Sequence, residues 1–575
     1  MMPTRMRFSW VWAIAVAGTL AACSDNNDGG NGPTPVDPPT GLAVEQAGAD
    51  GATVSWTAAT GATGYLVQRA GSDDPGNYAT LGGGVVTGTS FDDTGLADGI
   101  EYSYQVASVS ATDTSAFTSA VTFTLGQAGE AVDTISADIT TSRTLFADTL
   151  YVLSGYIKVQ NGATLTIEAG TKIVGDSAAA AVGSSLWILR GAKIEANGTA
   201  AAPIVFTSMR AAGDRKPGDW GGIIIIGNGI INRTGANIQT EGGAAGESEN
   251  YAGGNDNTDD SGTLRYVRIE FAGFDVSNGA GQELNSLSSY AVGSGTTYEY
   301  LESMAGLDDS FEYWGGAVDG RYLVSYNSGD DHFDWTEGYR GRNQFLIAFQ
   351  NERLIPAPGT GVVSADPRGF EGDGCDPAVA GCVLAEDATT SAPYSMPVWA
   401  NFTMVGPAPV TGWPDDGNGA VLRRGTGGTL FNGVMGRWKG IALNIRDAWT
   451  DSLFEQRDSL NIANLVLAGN GFNYDTAGAG FAQEGKFGAA NAIQAFDAST
   501  DVATLIGINI TPTSLDWTPA AGTPVDGTGS AQVPAHFTAR TANFFGGQME
   551  QTDYIGAAAP GGAKWWDGWT NYEIN

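Results

Sequence analysis

The six residues Asp308, Asp309, Ser310, Phe311, Glu312 and Tyr313 return 22 positions later as Asp330, Asp331, His332, Phe333, Asp334 and Trp335. Such a period accommodates three short strands and three turns, so that successive periods stack as coils ~4.8 Å apart around an apolar interior. Gly320 and Arg321 recur as Gly341 and Arg342, and the apolar segments 322–324 and 345–347 follow them. Earlier in the chain Gly162, Ala163, Thr164 and Leu165 are echoed by Gly191, Ala192, Lys193 and Ile194. Each of those units closes on Gly and Thr, at 170 and 171 or at 198 and 199. Ile157 and Val159 alternate with Lys158 and Gln160, Leu165 and Ile167 with Thr166 and Glu168, and Val267, Ile269 and Phe271 with Arg268 and Glu270. Alternation of this kind buries one face of a strand. The pattern predicts a long right-handed parallel β-helix over residues 135–575.

A different rhythm precedes it. Pro33, Pro35, Pro38 and Pro39 mark a stiff linker, after which strand-like stretches alternate with turns to about residue 125. Val54 and Trp56 share one alternation face, Tyr65 and Val67 another, and Tyr102, Tyr104 and Val106 a third, which predicts a small sandwich over residues 35–126. The expected fold class is therefore all-β, a sandwich followed by the β-helix. A length of 575 residues fits more than one domain. With 28 basic against 63 acidic residues the net charge is −35, which disfavours nucleic acid and anionic lipid surfaces and favours solubility and divalent cations.

Arg5 and Arg7 precede an apolar stretch that ends in Leu20, Ala21, Ala22 and Cys23. The stretch is too short to span a bilayer and reads as a cleaved secretory signal over residues 1–22. The order of charge, apolar run, small residues and Cys resembles a bacterial lipobox, which implies acylation of Cys23 and anchoring by its acyl chains at ~0.8 kcal/mol per buried methylene. A plain signal cleaved near Ala22 is the alternative. Ser24, where the sorting rule for inner-membrane retention places Asp, implies the outer membrane of a Gram-negative bacterium. Residues 23–34 read as the acylated Cys with a flexible acidic tether, as on surface-exposed lipoproteins. With Cys23 acylated, Cys375 and Cys382 remain as an even pair in an oxidising compartment, so a disulfide is expected, contributing ~2 to 3 kcal/mol in the entropic account. Two free thiols are the alternative. With His332 and His536 the only histidines, His-rich metal sites and His-based triads have little material.

Leu96, six residues before Tyr102, resembles the tyrosine corner of a fibronectin type III domain, and Trp56 falls where that family buries its core tryptophan. No Arg-Gly-Asp tripeptide is present, and the domain is expected to be a spacer rather than a ligand-binding module. Several stretches resemble the pectin-lyase-like β-helix superfamily, and in particular large bacterial outer-membrane lipoproteins of unassigned activity. They are residues 162–171, the run Gly218, Asp219, Trp220, Gly221 and Gly222, the paired Asp-Asp turns, the run Arg423, Arg424, Gly425, Thr426, Gly427 and Gly428, and residues 554–572. The resemblance implies fold and surface location rather than a reaction.

If the two Asp-Asp motifs occupy successive coils, Asp308 lies over Asp330, Asp309 over Asp331 and Glu312 over Asp334. A stacked pair ~5 Å apart repels by ~3 kcal/mol at an effective dielectric near 20, so the ladder needs cations or arginines unless it faces solvent. Calcium, which takes six to eight oxygen ligands, is the candidate ion, and Arg321, Arg340 and Arg342 are the candidate neutralising side chains. Asn255, Asp256, Asn257, Asp259 and Asp260 form a second acidic run, either a solvated loop or a calcium loop. Hydrolases of the superfamily bring an Asn-Thr-Asp, an Asp-Asp, a Gly-His-Gly and an Arg-Ile-Lys motif to successive coils. Here Asn257, Thr258 and Asp259 stand 71 residues before Gly329, Asp330 and Asp331, counted from Thr258 to Gly329, and the last two motifs are absent. His332 is either a proton carrier or a structural histidine. A lyase would use calcium with an Arg or Lys base, for which Asp308, Asp330 and Arg321 have the residue types. No catalytic residue is assigned.

Trp314, Trp335, Trp438, Trp565, Trp566 and Trp569 offer flat faces for sugar stacking, although the last three, with Tyr572, sit where a β-helix covers its final coil. Trp220, between glycines, fits a packed turn. The sequence thus points to a surface-anchored, non-catalytic lipoprotein that binds an extracellular ligand or partner, a glycan or a nutrient passed to an outer-membrane uptake receptor. The alternatives are a calcium-dependent polysaccharide lyase or hydrolase, and an adhesin or envelope structural protein.

Overall fold

The computed structural model describes residues 36–47, 51–71, 76–96, 100–124, 131–177, 183–241, 248–276, 282–382, 393–407, 417–455, 459–475, 484–487, 491–527 and 533–574. Cys23 and the tether lie outside them. The contacts divide the chain into two units between Gly129 and Glu130.

In the first unit, strands Thr40–Gln46, Gly51–Thr57 and Ser90–Thr94 form one antiparallel sheet, and Ala79–Thr80, Gly64–Gly71, Glu101–Val109 and Val121–Thr124 form another. The alternation seen in the sequence supplies the core. Val54, Trp56, Tyr65, Val67, Leu96, Tyr102, Tyr104 and Val106 are buried in one cluster, with Trp56 edge-on to Tyr65 at 5.2 Å. The Tyr104 hydroxyl and the Arg69 guanidinium both donate to Asp93, each at 2.8 Å, which satisfies a carboxylate that would otherwise be buried alone.

In the second unit the strands stack in parallel, coil upon coil. Among the described residues a ten-stranded sheet runs from Tyr156–Val159 to Phe472–Tyr474, and a fifteen-stranded sheet forms the other flanks. The long strands of the latter bend at a left-handed residue: Tyr266, Tyr300, Tyr322, Phe345, Asn401, Asn432 and Asn464 have φ of 48°, 56°, 60°, 64°, 54°, 57° and 54°. Bulky residues rarely hold that conformation, which costs ~1 to 2 kcal/mol each. Here the four rings stack on one another at 4.3, 4.5 and 5.1 Å, and the asparagines continue the row through a 3.1 Å bond from Asn464 Nδ2 to Asn432 Oδ1.

The repeats fall in register. Leu165 pairs with Ile194, Phe311 with Phe333 and Glu312 with Asp334. The Gly-Arg echo does not: Gly320 pairs with Asn343 and Arg321 with Gln344. The turn before Arg342 is one residue longer than its predecessor, and Arg342 instead turns its backbone N–H and guanidinium onto Asp319. Inside the coils Phe311, Phe333 and Phe370 stack at 5.3 and 5.8 Å, and Trp335 packs on Trp399 at 5.3 Å. Each such ring, removed wholly from water, contributes ~1.5 to 3 kcal/mol.

Leu453, Phe454 and Phe487, on and beside the short helical segments Ala448–Glu455 and Glu484–Lys486, pack against the core at the last coils. The C-terminal segment does not close that end. It runs back along the bend row: Asn401 and Asn432 donate to Thr552 Oγ1 at 2.8 and 3.2 Å, Trp565 packs on Tyr322 at 5.2 Å, and Trp569 packs on Tyr266 and Tyr300 at 5.7 and 6.0 Å. The Asn571 N–H ends the run on Glu302 at 2.8 Å. The bend rings make an apolar stripe along the flank, and this strap removes it from water.

Candidate functional site

Strands Phe311–Trp314, Phe333–Thr336 and Arg368–Asp373 belong to the ten-stranded sheet and point alternate side chains outward. Register places Glu312, Asp334 and Glu371 in one outward row, and Asp373 beside Arg423 in the next. The Asp-Asp turns lead directly into the first two strands. Asp308, Asp309 and Asp330 each place a carboxylate oxygen within 4.8 Å of the others, as do Asp309, Asp331 and Asp334. Glu312 joins the group through Asn285, whose Nδ2 donates to it at 2.5 Å.

The carboxylates divide by role. Asn285 Oδ1 accepts from the Asp309 N–H at 3.0 Å, Asp309 Oδ1 from the Asp331 N–H at 2.8 Å, and Asp331 Oδ1 from the Arg368 N–H at 2.8 Å. Asp309 and Asp331 therefore tie one coil to the next. Asp330 and Asp334 each keep a buried Oδ1 without a hydrogen-bond partner among the described residues. Burial, and after it the neighbouring carboxylates, hold Asp308, Asp309, Glu312 and Asp334 well above the usual carboxylate range. Burial likewise pushes Asp330 up to about 7 and Asp331 and Glu371 up to about 8, against the opposing pull of Arg368. Oxygen-only donors with unsatisfied lone pairs and excess negative charge fit a hard divalent cation such as calcium.

The arginines expected to neutralise the ladder are elsewhere: Arg321 pairs with Glu299 and Arg342 with Asp319. Their strands lie in the other sheet. The charges that do meet the ladder are Arg368, 3.0 Å from Asp331 and also on Glu371, Arg423, 2.6 Å from Glu371 and 2.8 Å from Asp373, and Arg424, which pairs with Asp373.

Over this face lies a cleft of about 580 Å³. Its walls include Glu312, Asp334, Glu371, Asp373 and Trp314 from the sheet. Arg233, Glu241 and Tyr251 enter from a loop, and Asp376, Val379 and Cys382 from a second loop. Cys375 and Cys382 form the expected disulfide, with Cα atoms 5.3 Å apart. The two loops clasp each other: Arg233 Nε donates to Ala380 O at 2.9 Å and the Thr234 N–H to Gly381 O at 3.0 Å. Tyr251 and Arg233 also donate to Glu337 at 2.7 and 3.1 Å. Glu241 is pushed up to about 8 by burial and then by Glu283 and Glu337.

Most of the tryptophans that offered flat faces are buried, those expected at the final coil in the strap and the others inside the coils. Trp335, Trp438, Trp566 and Trp569 are no more than 2% exposed, and Trp565 is half-buried in the strap. Trp314 lines the cleft but is only 4% exposed, with one face stacked on Tyr290 at 3.9 Å. Trp220 is a packed turn residue, its Nε1 donating to Glu270 O at 2.8 Å. His332 is buried, bonded through Nδ1 to Ser325 Oγ at 2.6 Å and pushed down to about 3 by burial, so it stays neutral inside the coils. The second acidic run is occupied by neighbouring segments: Asn257 and Asp259 accept from the N–H groups of Ile230 and Asn228 at 2.7 and 3.0 Å, and Asp260 pairs with Lys193.

Residues 137–518 match the family described as pectate-lyase like beta helix domain, and residues 37–124 match the fibronectin type III domain. No curated protein matches. Among solved structures, a fibronectin type III-like protein from Clostridium thermocellum is 32% identical, covering 15% of this chain and 90% of that one at a TM-score of 0.14. A structure described as FN3tt mut is 18% identical, covering 16% and 97% at 0.14. With the matched β-helix spanning most of its length, the chain belongs to the pectate-lyase-like β-helix family and carries an N-terminal fibronectin type III domain.

Proposed function

We propose that the protein is a lipid-anchored surface protein that captures a carbohydrate in the cleft above the acidic ladder, with a calcium ion held by that ladder. The observation that carries the reading is the convergence of Glu312, Asp334 and Glu371 with Arg423 and Arg424 on one wall of the cleft. Carboxylates and guanidiniums in fixed pairs match the vicinal hydroxyls of a sugar, and a bound cation would orient them. Two carboxylate sets offer themselves as ligands, Asp308 with Asp309 and Asp330, and Asp309 with Asp331 and Asp334, and Asp309 is common to both. Cys23 supplies the anchor, at the outer face of the outer membrane, and an uptake receptor is the natural recipient of the captured ligand.

Calorimetric titration of calcium into the protein lacking residues 1–23, followed by a glycan panel, tests the capture. Saturable calcium binding that an Asp330→Asn, Asp334→Asn double variant loses, with glycan binding and no turnover, is the expected result. Absence of both bindings would sink it. Glu241, a carboxyl that burial keeps protonated near neutral pH on the wall of the cleft, supports a second reading as a lyase or hydrolase. Calcium-dependent release of unsaturated or reducing products would favour that reading. For the anchor, Cys23→Ala is expected to move the protein from the membrane to the soluble fraction.

A further inference from the structure

Where the turns that follow Trp314 and Thr336 meet the C-terminal strap, a hollow of about 300 Å³ gathers three guanidiniums, Arg340, Arg342 and Arg540, around one carboxylate, Asp319. In a chain of net charge −35 this leaves two positive charges uncompensated in one small concavity. The three arginines are not equivalent. Arg342 is consumed by structure: its Nε donates to Asp319 at 3.0 Å, and its Nη1 to Arg540 O and Ala542 O at 2.9 and 2.6 Å. Arg540 gives one N–H from each terminal nitrogen to Met396 O and Arg340 O, which fixes the guanidinium while leaving its remaining donors. Arg340 is half-buried, and its guanidinium has no ion pair or hydrogen bond among the described residues.

Two like charges held side by side and partly out of water repel, and the arrangement carries that strain unless something negative joins it. Burial first, and then the Arg340 charge, push Arg540 down to about 10, so it is still charged at neutral pH. Asn257 and Ser294 add neutral polar groups to the wall. The hollow opens outward and is not lined by any residue of the acidic cleft.

We propose that this hollow binds an oxyanion, a carboxylate, sulfate or phosphate group, with Arg340 as the side chain that reaches it and Arg540 as the fixed second donor. Planar forked donors suit such groups better than a point charge does, which is why arginine rather than lysine serves here. The oxyanion is either a free inorganic ion or the acidic substituent of a glycan.

The test titrates sodium sulfate and sodium phosphate into the protein against sodium chloride at matched ionic strength, in the natural sequence and in Arg340→Gln. A parallel arm uses an oligogalacturonate and its methyl ester. Because only the Arg340 backbone, not its guanidinium, is hydrogen-bonded among the described residues, Arg340→Gln is expected to fold, which an unchanged melting temperature checks. Saturable oxyanion binding, weakened about tenfold or more in Arg340→Gln as expected for loss of a charge-assisted hydrogen bond, supports the site. Tighter binding of the oligogalacturonate than of sulfate, lost on esterification, assigns the oxyanion to a glycan, and the reverse order assigns it to a free ion. The site is overturned if none of the oxyanions binds beyond the chloride control, or if Arg340→Gln binds them as well as the natural sequence does.

Discussion

Asp334 stands in the outward row between Glu312 and Glu371, with one buried oxygen unpartnered among the described residues. Asparagine has nearly the same shape, cannot ionise and offers the same carbonyl oxygen to a cation. Asp334→Asn is therefore expected to weaken calcium binding by roughly tenfold while stabilising the cation-free protein by about 1 to 3 kcal/mol at alkaline pH, where Asp334 would otherwise have to ionise against burial and its neighbouring carboxylates. Calorimetry and thermal melts in chelator check both signs, and a variant that loses stability in chelator would contradict the account. Gly372, between Glu371 and Asp373, acts from the inner face. A Cβ there would lie 2.2 Å from Cζ2 of the fully buried Trp335, so Gly372→Ala must displace a core indole or the strand itself. A cost of about 1 to 3 kcal/mol is expected, together with weaker ligand binding, because the same shift moves Glu371 and Asp373 off the row.

At the level of elements, the disulfide loop and the loop bearing Arg233 form the cleft wall by holding each other, not by packing on the sheet alone. Replacing Cys375 by Ser is expected to lower stability by about 2 kcal/mol and to loosen the cleft, seen as a larger drop in ligand affinity than in calcium affinity. Equal losses in both would place the loop outside the ligand's reach. The Asp-Asp repeat, the strand alternation and the Cys pair were legible in the sequence because each depends on local spacing. Glu371 was not, although Phe370 and Glu371 repeat the Phe-acid pair of Phe311 and Glu312 and of Phe333 and Asp334: an insertion stretches the step from Phe333 to Phe370 to 37 residues. Arg423 stands in a glycine-rich run visible in the sequence, but its pairing with Asp373 is hidden because their register depends on another long turn. The tryptophans misled because an indole that fills a coil and one that faces a sugar have the same sequence context, and only the fold decides which side of the strand it takes.

Across the whole molecule, the acidic ladder makes stability depend on pH in an unusual direction. Carboxyls with ordinary native-state partners titrate low, and their proteins lose stability as acid protonates them. Here burial and mutual repulsion raise Asp330 to about 7 and Asp331, Glu371 and Glu241 to about 8, whereas the unfolded chain ionises the same groups near 4. Between those values the folded state binds more protons than the unfolded one, so stability declines as pH rises. The contribution is fully present below about pH 4 and is lost as pH climbs through the folded values of 7 to 8. A divalent cation on the ladder reverses this, because it binds the deprotonated carboxylates and competes with protons for them. In chelator the melting temperature of the β-helix is expected to fall between about pH 5 and about pH 9, and the increment given by millimolar calcium is expected to grow over the same interval. Scanning calorimetry along both series measures the two slopes. If the calcium increment stays flat with pH while the chelator series still falls, the ladder titrates without binding the ion. If neither series depends on pH, the buried carboxyls are neutralised by Arg368, Arg423 and Arg424 alone, and the cation has no place in the cleft.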